Sequence, residues 1–421
     1  MPVQVCAARS AARHIPDGVA SVLIPDTSVS VLGLLTQSIQ CSHPAETARY
    51  DTAPPNTLTG DPHSTPFHHL LSQHRPTLLA SLKDLPSLCQ CFNSAWLSGA
   101  QSICLPSDQL VRFPLWIEHL LSKLDSYSRK EKAWMNSLEW LHTTIKHTPD
   151  KSTRVLAGEC LESWDDIPWD GLVLGLGRAV LLSTKDLAKF LTNEWLNDDM
   201  INAGLTWISH HISSDRRIRV LNVHFVDALR NLRSTQRSYN SRHCQPLDHL
   251  ITNNKLDTIY APLHVNGNHW TLLRIDLQTR QYAYGDSLHP SAQAPPEVID
   301  LLNWWLKSLT PGSNLIPSSH RLIMPQQEDS FSCGVVVLST LACKLVDECG
   351  PWEQQFYASE RMAWYLRLSS SLRKSSHVSK YDFVTMNADL MPYYRHPIIL
   401  SCNALPVKVL DPPQNSPILC L

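Results

Sequence analysis

The sequence has few glycines, no long hydrophobic run and no excess of either charge. Only 14 of 421 residues are glycine, against 29 prolines and 13 tryptophans, which favours stiff loops and large aromatic anchors over flexible repeats. The 36 Lys and Arg residues nearly balance the 38 Asp and Glu residues, so charge gives no argument for a nucleic acid or a membrane surface as partner. No segment reaches the ~18–20 apolar residues needed to cross a bilayer. We therefore expect a soluble protein of two or three domains.

The cysteines are too sparse for a disulfide framework. Twelve are scattered along the chain, and only Cys89 and Cys91 stand close together. With Cys104 they lack a second ligand pair at zinc-finger spacing, and the first 20 residues lack the apolar core of a secretory signal. We expect no metal or organic cofactor, and a reducing intracellular compartment, nucleus or cytoplasm.

Composition and periodicity divide the chain into four parts. Residues 1–75 are rich in Pro, Ser, Thr and His, which predicts a largely disordered segment. Residues 76–150 carry helical apolar stripes and end near a predicted linker at 147–153, so we expect a helical region of unknown role. Residues 155–372 mix helical and strand patterns and form the predicted main domain. Residues 373–421 form a polar, proline-rich tail.

Within the main domain the hydrophobic pattern predicts both helices and strands. A segment that is apolar on nearly every side indicates a buried central helix, and two alternating segments indicate a hairpin. Strand patterns occur at 219–225, 258–265, 269–276 and 280–286, and helical patterns at 183–191, 201–212, 295–309, 333–346 and 359–372.

Cys333 stands at the predicted start of the buried helix, directly before Gly334 and a run of valines. It could be a core thiol, a metal ligand or a nucleophile. A cysteine attacks as the thiolate, which the partial positive charge of a helix N-terminus favours. A nucleophile also needs a base, and His269 is the candidate.

Two further side chains would complete such a site. If the hairpin folds symmetrically about residues 276–279, His269 faces Asp286, and the carboxylate can orient the imidazole. Gln327 precedes Cys333 by six residues. Its side-chain N–H could stabilise a developing oxyanion together with the backbone N–H of Cys333.

These residues resemble the signature blocks of a known family. The segments NEWLNDDMIN (193–202), NHWTLLRIDLQTRQYAYGDS (268–287) and PQQEDSFSCGVV (325–336) look like those of the ubiquitin-like-protein-specific (SUMO/sentrin-specific) cysteine proteases, in their C-terminal catalytic domain. The order His, Asp, Gln, Cys fits, as do the spacings of 17 residues between the first two and six between the last two. The resemblance covers roughly residues 160–372.

The resemblance implies an α+β, papain-like cysteine protease fold, with a mixed central sheet flanked by helices and preceded by a helical N-terminal region. It implies Cys333 as nucleophile, His269 as general base, Asp286 as its orienting group and Gln327 as an oxyanion donor. The implied activity is cleavage after the C-terminal Gly-Gly of a SUMO-type modifier, by deconjugation or precursor processing. The partners would be that modifier and its conjugates, and we expect a monomer without nucleic acid or membrane.

The resemblance also implies substrate-binding residues. Trp195 and Trp270 look like the two tryptophans that cover a narrow tunnel for the Gly-Gly tail. Two flat indoles leave room only for residues without side chains. Asp198 matches an acidic contact to the surface of the modifier.

One stretch departs from the family pattern. The family usually has Asn-Gly-x-Asp before Cys-Gly, whereas this chain has Asp329, Ser330, Phe331 and Ser332. Because the glycine is missing, any positive φ in this loop would have to be held by a less permissive residue. We therefore expect altered loop geometry, with consequences for rate or for the choice of modifier.

Each residue also has an ordinary structural interpretation. Trp195 and Trp270 are nearly as well explained as core aromatics, Asp286 as a turn residue, and Asp198 and Asp199 as charges at a helix N-terminus. Three functional alternatives also stay open. These are a non-catalytic binding module on the same fold, an enzyme that transfers the acyl group to an amine, and an accessory factor that uses residues 76–147 to bind a partner.

Overall fold

The structure, a computed structural model, describes residues 14–16, 18–41, 71–73, 75, 78, 79, 82–90, 102–105, 108–114, 116–173, 176, 180–213, 216–235, 239, 244–347, 349 and 357–376. The strands are β1 Ser102–Leu105, β2 Asp108–Pro114, β3 Ile218–Val220, β4 Thr258–Val265, β5 His269–Asp276, β6 Gln281–Gly285 and β7 Ile316–Pro317. The helices are α1 Val31–Cys41, α2 Ile117–His147, α3 Lys151–Glu162, α4 Thr184–Ala188, α5 Asp198–His211, α6 Phe225–Thr235, α7 Gln245–Thr252, α8 Pro296–Leu309, α9 Cys333–Leu345 and α10 Tyr357–Ser376.

A five-stranded mixed sheet lies at the centre of the main domain, in the order β3-β4-β5-β6-β7. The strands β4, β5 and β6 are antiparallel, and the short edge strands β3 and β7 run parallel to their neighbours. Successive residues of β5 contribute to opposite faces, with Leu272 in one hydrophobic cluster and Leu273 in the other. Both faces are therefore covered, which explains why these strands are apolar at nearly every position.

Helices flank the sheet on both sides. One cluster joins a face of the sheet to α5, α9 and α10, and the other joins the opposite face to α6, α7 and α8. All residues from Cys333 to Ala342 of α9 are buried, as its uniformly apolar sequence predicts. The predicted α+β architecture is confirmed, with its mixed sheet, flanking helices and helical N-terminal region.

A glycine allows the central helix to pack closely on its neighbour. Gly204 of α5 faces α9, and a Cβ placed there would lie 2.7 Å from the side chain of Leu338. This distance is well below ordinary van der Waals contact. The separation of α5 and α9 therefore depends on the missing side chain.

The helical region before the main domain packs directly onto it. The indole N–H of Trp134 on α2 donates to the carbonyl of Trp169 at 3.1 Å, and the hydroxyl of Ser137 donates to that of Ala188 at 2.8 Å. The predicted linker at 147–153 reduces to residues 148–150, because α3 begins at Lys151. Asp150 starts that helix by accepting N–H bonds from its first turn. Residues on both sides of the connection share one hydrophobic cluster.

Part of the segment predicted to be disordered is structured. Residues 18–41 contain a short 3-10 turn and α1, whose Val31 and Leu34 are buried against the rest of the core. Most of the remaining residues of 1–75, and residues 377–421 of the predicted tail, lie outside the described residues. The four-part division of the chain stays a prediction.

Two predicted elements differ from the structure. The strand predicted at 219–225 ends at Val220, because the Asn222 side chain accepts the His224 N–H and starts the turn into α6. The hairpin turn spans 277–280 with Arg280 at φ +54°, so Ile275 pairs with Tyr282 rather than with Arg280. The other predicted strands and helices of the main domain are present within a few residues of the expected bounds. Among the described helices, none is both long and apolar enough to span a bilayer.

The close packing of α5 on α9 leads to a stability prediction. Gly204→Ala should lower the free energy of unfolding by about 1–3 kcal/mol, because the added methyl group overpacks the core against Leu338. As a control, Gly158→Ala lies in the middle of α3, where nothing stands within 4 Å of an added Cβ. This control should instead raise the free energy of unfolding by about 0.5–1 kcal/mol, since alanine is the better helix former. Urea unfolding measures both variants, and a stabilising Gly204→Ala would contradict the close contact with Leu338.

Candidate active site

Cys333 is the first residue of α9 and is only 2% exposed. The backbone N–H groups of Trp270, Gly334 and Cys333 itself favour the thiolate form of its sulfur. Trp270 follows His269 on β5, and α9 packs against that strand. The thiol therefore lies beside the strand that carries the candidate base.

His269 and Asp286 form a buried pair. The imidazole Nε2 lies 2.8 Å from the carboxylate Oδ1. The same oxygen accepts the backbone N–H groups of Leu288 at 2.9 Å and His289 at 2.8 Å, which fixes the carboxylate at the end of β6. Since Nε2 is bound to the carboxylate, Nδ1 is the nitrogen left to receive a proton from a thiol.

The predicted hairpin register is wrong by two residues. In the structure Leu272 pairs with Gly285, so His269 and Asp286 are diagonal neighbours rather than a directly opposed pair. The turn has the predicted four residues but begins one residue later, after Asp276, whose carboxylate accepts two backbone N–H bonds from it, at 3.1 and 2.9 Å. A shift of two residues keeps every side chain on the same face of the sheet. The imidazole and the carboxylate therefore still meet.

Gln327 is buried with its amide held in one orientation. Its Oε1 accepts the Ser287 hydroxyl at 2.8 Å, and its Nε2 donates to the carbonyl of Asp329 at 2.8 Å. The backbone N–H of Gln327 also donates to the carbonyl of Ser287, at 2.9 Å. The amide nitrogen thus points toward the loop before Cys333, and it carries a second hydrogen that could reach an oxyanion.

The loop 329–332 needs no glycine. None of its residues has a positive φ, so the strain expected from the missing glycine is not present. The Asp329 carboxylate stabilises the loop by accepting the N–H groups of Phe331 at 2.8 Å and Ser332 at 2.7 Å. It also accepts the Ser332 hydroxyl at 2.7 Å. The acidic group that the family places directly before the nucleophile is here three positions earlier, and it binds that preceding residue.

Three successive carbonyls of this loop accept side-chain donors from separate parts of the chain. The donors are an amide, an indole and a guanidinium. Gln327 Nε2 donates to the carbonyl of Asp329 at 2.8 Å, and Trp195 Nε1 donates to the carbonyl of Ser330 at 2.7 Å. Arg361 Nη2 donates to the carbonyl of Phe331 at 3.3 Å. The loop is therefore held through its main chain.

The predicted substrate-binding residues differ in exposure. Trp195 is 51% exposed and is joined to the loop before Cys333 by its indole N–H. Trp270 is buried, donates its indole N–H to the carbonyl of Leu196 at 3.0 Å and stacks on His264. Asp198 begins α5, 3.8 Å from the His224 ring. Trp195 thus lies in the segment before α5, and Trp270 binds that segment. Asp198 occupies the helix N-terminus that its ordinary interpretation required.

Burial raises the pKa of the Cys333 thiol, and the nearby Asp329 carboxylate raises it further. The hydrogen bonds from the Trp270 and Gly334 N–H groups oppose this effect only in part. This direction is opposite to the lowered pKa expected of a thiol at a helix N-terminus, because burial outweighs the helix. A thiol in this setting stays protonated at neutral pH, and its proton must leave as the sulfur attacks.

Two residues near the site were not found from the sequence. Ser287 directly follows Asp286 but carries no catalytic signature of its own. Arg361 lies on α10, beyond the recognisable blocks, and is completely buried. An arginine directly before the apolar residues Met362 and Trp364 of a helical stretch was the available signal. Within the described residues, no group of three His, Cys, Asp or Glu side chains is placed to hold a metal ion.

Comparison with known proteins gives the same family as the sequence resemblance. Residues 194–348 match the family model described as the Ulp1 protease family, C-terminal catalytic domain. A curated relative, ubiquitin-like-specific protease 1 of Saccharomyces cerevisiae, is 25% identical over 161 residues. That match covers 37% of this chain and 24% of the yeast protein, so it spans about a quarter of the relative's length. The resemblance is confirmed for this region.

Solved structures of similar proteins include SUMO protease Ulp1 with its catalytic cysteine oxidised to a sulfinic acid. It has 18% identity and a TM-score of 0.38, over 53% of this chain and 97% of that one. The Ulp1 protease domain in complex with Smt3, the yeast orthologue of SUMO, has 20% identity and a TM-score of 0.37, over 53% and 96%. The Xanthomonas campestris effector XopD bound to ubiquitin has 18% identity and a TM-score of 0.27, over 40% and 90%.

The carboxylate beside the thiol leads to a pH prediction. Asp329→Asn keeps an oxygen that can accept the two loop N–H groups but removes the negative charge, so it should lower the pKa of Cys333. The alkylation rate of Cys333 by iodoacetamide, followed by mass spectrometry of its peptide, should then rise at lower pH than in the wild type. Asp347→Asn, just beyond the other end of α9, is the control and should leave the profile unchanged. An unmoved or upward-shifted midpoint in Asp329→Asn would contradict the assignment.

Proposed function

We propose, on the premise that residues 194–348 form an Ulp1-family catalytic domain, that this protein is a cysteine peptidase acting on a ubiquitin-like modifier of the SUMO type. It would cleave after the C-terminal Gly-Gly, either from a lysine isopeptide or from a precursor. The observation that carries the proposal is the buried His269–Asp286 pair at 2.8 Å, beside the strand β5 on which the helix that begins at Cys333 packs.

The chemistry is an acyl transfer in two steps. The Cys333 sulfur attacks the carbonyl carbon of the terminal glycine, and the thiol proton passes to His269 Nδ1. The Gln327 side-chain N–H and the Cys333 backbone N–H stabilise the oxyanion. The C–N bond breaks, the amine leaves with the proton from His269, and a thioester remains. Water then attacks the thioester with His269 as base, which releases the carboxylate and the thiol.

The tryptophans suit a substrate tail without side chains. Trp195 presents a half-exposed indole that is tied to the loop before the nucleophile. Trp270 is buried beside the base, and its indole N–H binds the carbonyl of Leu196 in the segment that follows Trp195. A Gly-Gly tail fits between them because it can approach the main chain closely. Asp198, at the exposed start of α5, is proposed to contact the surface of the modifier.

The binding-module alternative loses its main support. It rested on the altered residues 329–332, whose loop is unstrained and is held by hydrogen bonds at three successive carbonyls. The proposed partners are the modifier and its conjugates, with the chain acting as a monomer in a reducing compartment. The related structures bind Smt3 and ubiquitin respectively, so both modifier classes belong in the test.

The first test is covalent labelling with modifier probes. SUMO and ubiquitin carrying a C-terminal thiol-reactive warhead are incubated with the purified full chain and with Cys333→Ala. We expect an adduct with the SUMO probe that the Cys333→Ala variant does not form. An adduct with ubiquitin alone would keep the mechanism and change the substrate. A folded wild-type protein that forms no adduct with either probe would refute the proposal.

The oxyanion role of Gln327 makes a kinetic prediction. Gln327→Ala should reduce kcat by about 10²–10³-fold, because an oxyanion donor acts in the transition state. Ser287→Ala should reduce it less, since it only loosens the Gln327 amide. Gln326→Ala is the control for the neighbouring glutamine, which is less buried, and should leave kcat near that of the wild type. Hydrolysis of a fluorogenic SUMO C-terminal amide measures all three, and a larger loss in Gln326→Ala would reverse the assignment.

A further inference from the structure

We infer that Arg361 is a positioning residue for the nucleophile, a role that rests on the proposed peptidase function. Its guanidinium joins the loop before Cys333 to the segment that carries Trp195. It lies on α10, outside the region that matches the family model. It touches neither the sulfur nor the proposed tail-binding indoles through a hydrogen bond, so it acts through the loop.

The guanidinium is buried and bound to main-chain carbonyls rather than to a carboxylate. Arg361 has no exposed surface, and its Nε is buried without an acceptor among the described residues. Burial lowers its pKa to about 10, so it keeps its charge at neutral pH. A buried charge without a paired carboxylate is costly to retain. The benefit that offsets this cost must therefore come from the segments whose carbonyls the guanidinium holds in place.

The three carbonyls come from three separate segments. Nη1 donates to Lys189 at 3.1 Å, in the turn after α4, and Nη2 donates to Glu194 at 2.7 Å and to Phe331 at 3.3 Å. The Phe331 ring also lies under the guanidinium, 5.5 Å from Arg361 Cζ. A planar group with fixed donor directions sets the relative positions of its partners more tightly than a flexible ammonium can.

Two of these segments lead directly to the proposed site. Glu194 precedes Trp195, and Phe331 stands two residues before Cys333. The Trp195 indole then bonds back to the carbonyl of Ser330, so the two segments are joined twice. Displacing the loop would move the first turn of α9, and with it the thiol relative to His269.

The positive charge of Arg361 supports the nucleophile in addition to the contacts that position the loop. It interacts favourably with the Asp329 carboxylate and with a Cys333 thiolate. Asp329 in the loop acts on both the thiol and the guanidinium, and Tyr357 on α10 and Glu194 before α5 act on the guanidinium. His269 lies on β5, the strand against which α9 packs. Removing the cation leaves the negative charge of Asp329 beside the sulfur without this favourable partner, so the Cys333 thiolate becomes harder to form.

Two substitutions of Arg361 separate position from charge. In Arg361→Gln the cation and the fork of donors are both lost. The alkylation midpoint of Cys333 should move to higher pH, and kcat should fall by about 10–100-fold with a smaller change in KM. In Arg361→Lys the charge remains but three carbonyls cannot be bound together. Its kcat should fall while its alkylation midpoint stays near that of the wild type.

Arg367 provides the matched control on the same helix. It packs over Trp207 and Trp364 and lies 3.8 Å from Glu360, away from the loop. Arg367→Gln should lower the melting temperature without moving the alkylation midpoint or kcat. If Arg361→Gln does not fold, the lysine variant carries the test.

Several results would overturn the inference. A folded Arg361→Gln with wild-type kcat and alkylation midpoint would do so. So would a loss of thermal stability alone, or the failure of both Arg361 variants to fold, since each would make the role purely structural. Alkylation needs no modifier, so its midpoint still reports on Arg361 if no SUMO-type or ubiquitin substrate is cleaved. In that event the proposed function fails, and the alkylation midpoint alone tests the contact of Arg361 with the loop before Cys333.

Discussion

The packing of α9 against β5 is the contact on which the site depends. The helix is buried along most of its length, so its position is set by close contact on all sides. At the first turn of α9, Gly334 allows α5 to pack closely from another side, because a Cβ there would lie 2.9 Å from the side chain of Ile201. The thiol and the base are thus brought together by the hydrophobic core. The loop before Cys333 then refines the position of the thiol relative to His269, which the core has already set.

The electrostatics of the site result from that burial. A buried sulfur favours its neutral form, and the backbone N–H groups of Trp270, Gly334 and Cys333 compensate only in part. In the proposed mechanism the thiol proton therefore passes to His269 as the sulfur attacks the substrate carbonyl. Asp329 and Arg361 bring opposite charges to the loop before the nucleophile, one stabilising its turn and the other binding one of its carbonyls. The same four-residue loop, 329–332, is thus both held in its conformation and surrounded by opposite charges through Asp329 and Arg361.

Much of this arrangement could be predicted from the sequence, and the exceptions have physical reasons. Apolar periodicity predicts the buried helix and the central strands. His269 meets Asp286 in either register, because a shift of two residues keeps both side chains on the same face of the sheet. The register itself could not be predicted, because it depends on a turn stabilised by Asp276 and on Arg280 in a left-handed conformation. The contacts of Arg361 are equally hidden. Its partners are main-chain carbonyls, which every residue type provides.

The main-chain restraint of the loop has a consequence for how the site can change over time. Ser330 is exposed at the rim, and its carbonyl rather than its side chain is bound by Trp195. Substitution at this position alters the surface that an incoming protein meets and leaves intact the contact that steadies the nucleophile. In such a site the catalytic mechanism can stay the same while the preference for a target protein changes. Descendants of one ancestral enzyme could explore new targets at such a position without first losing their chemistry.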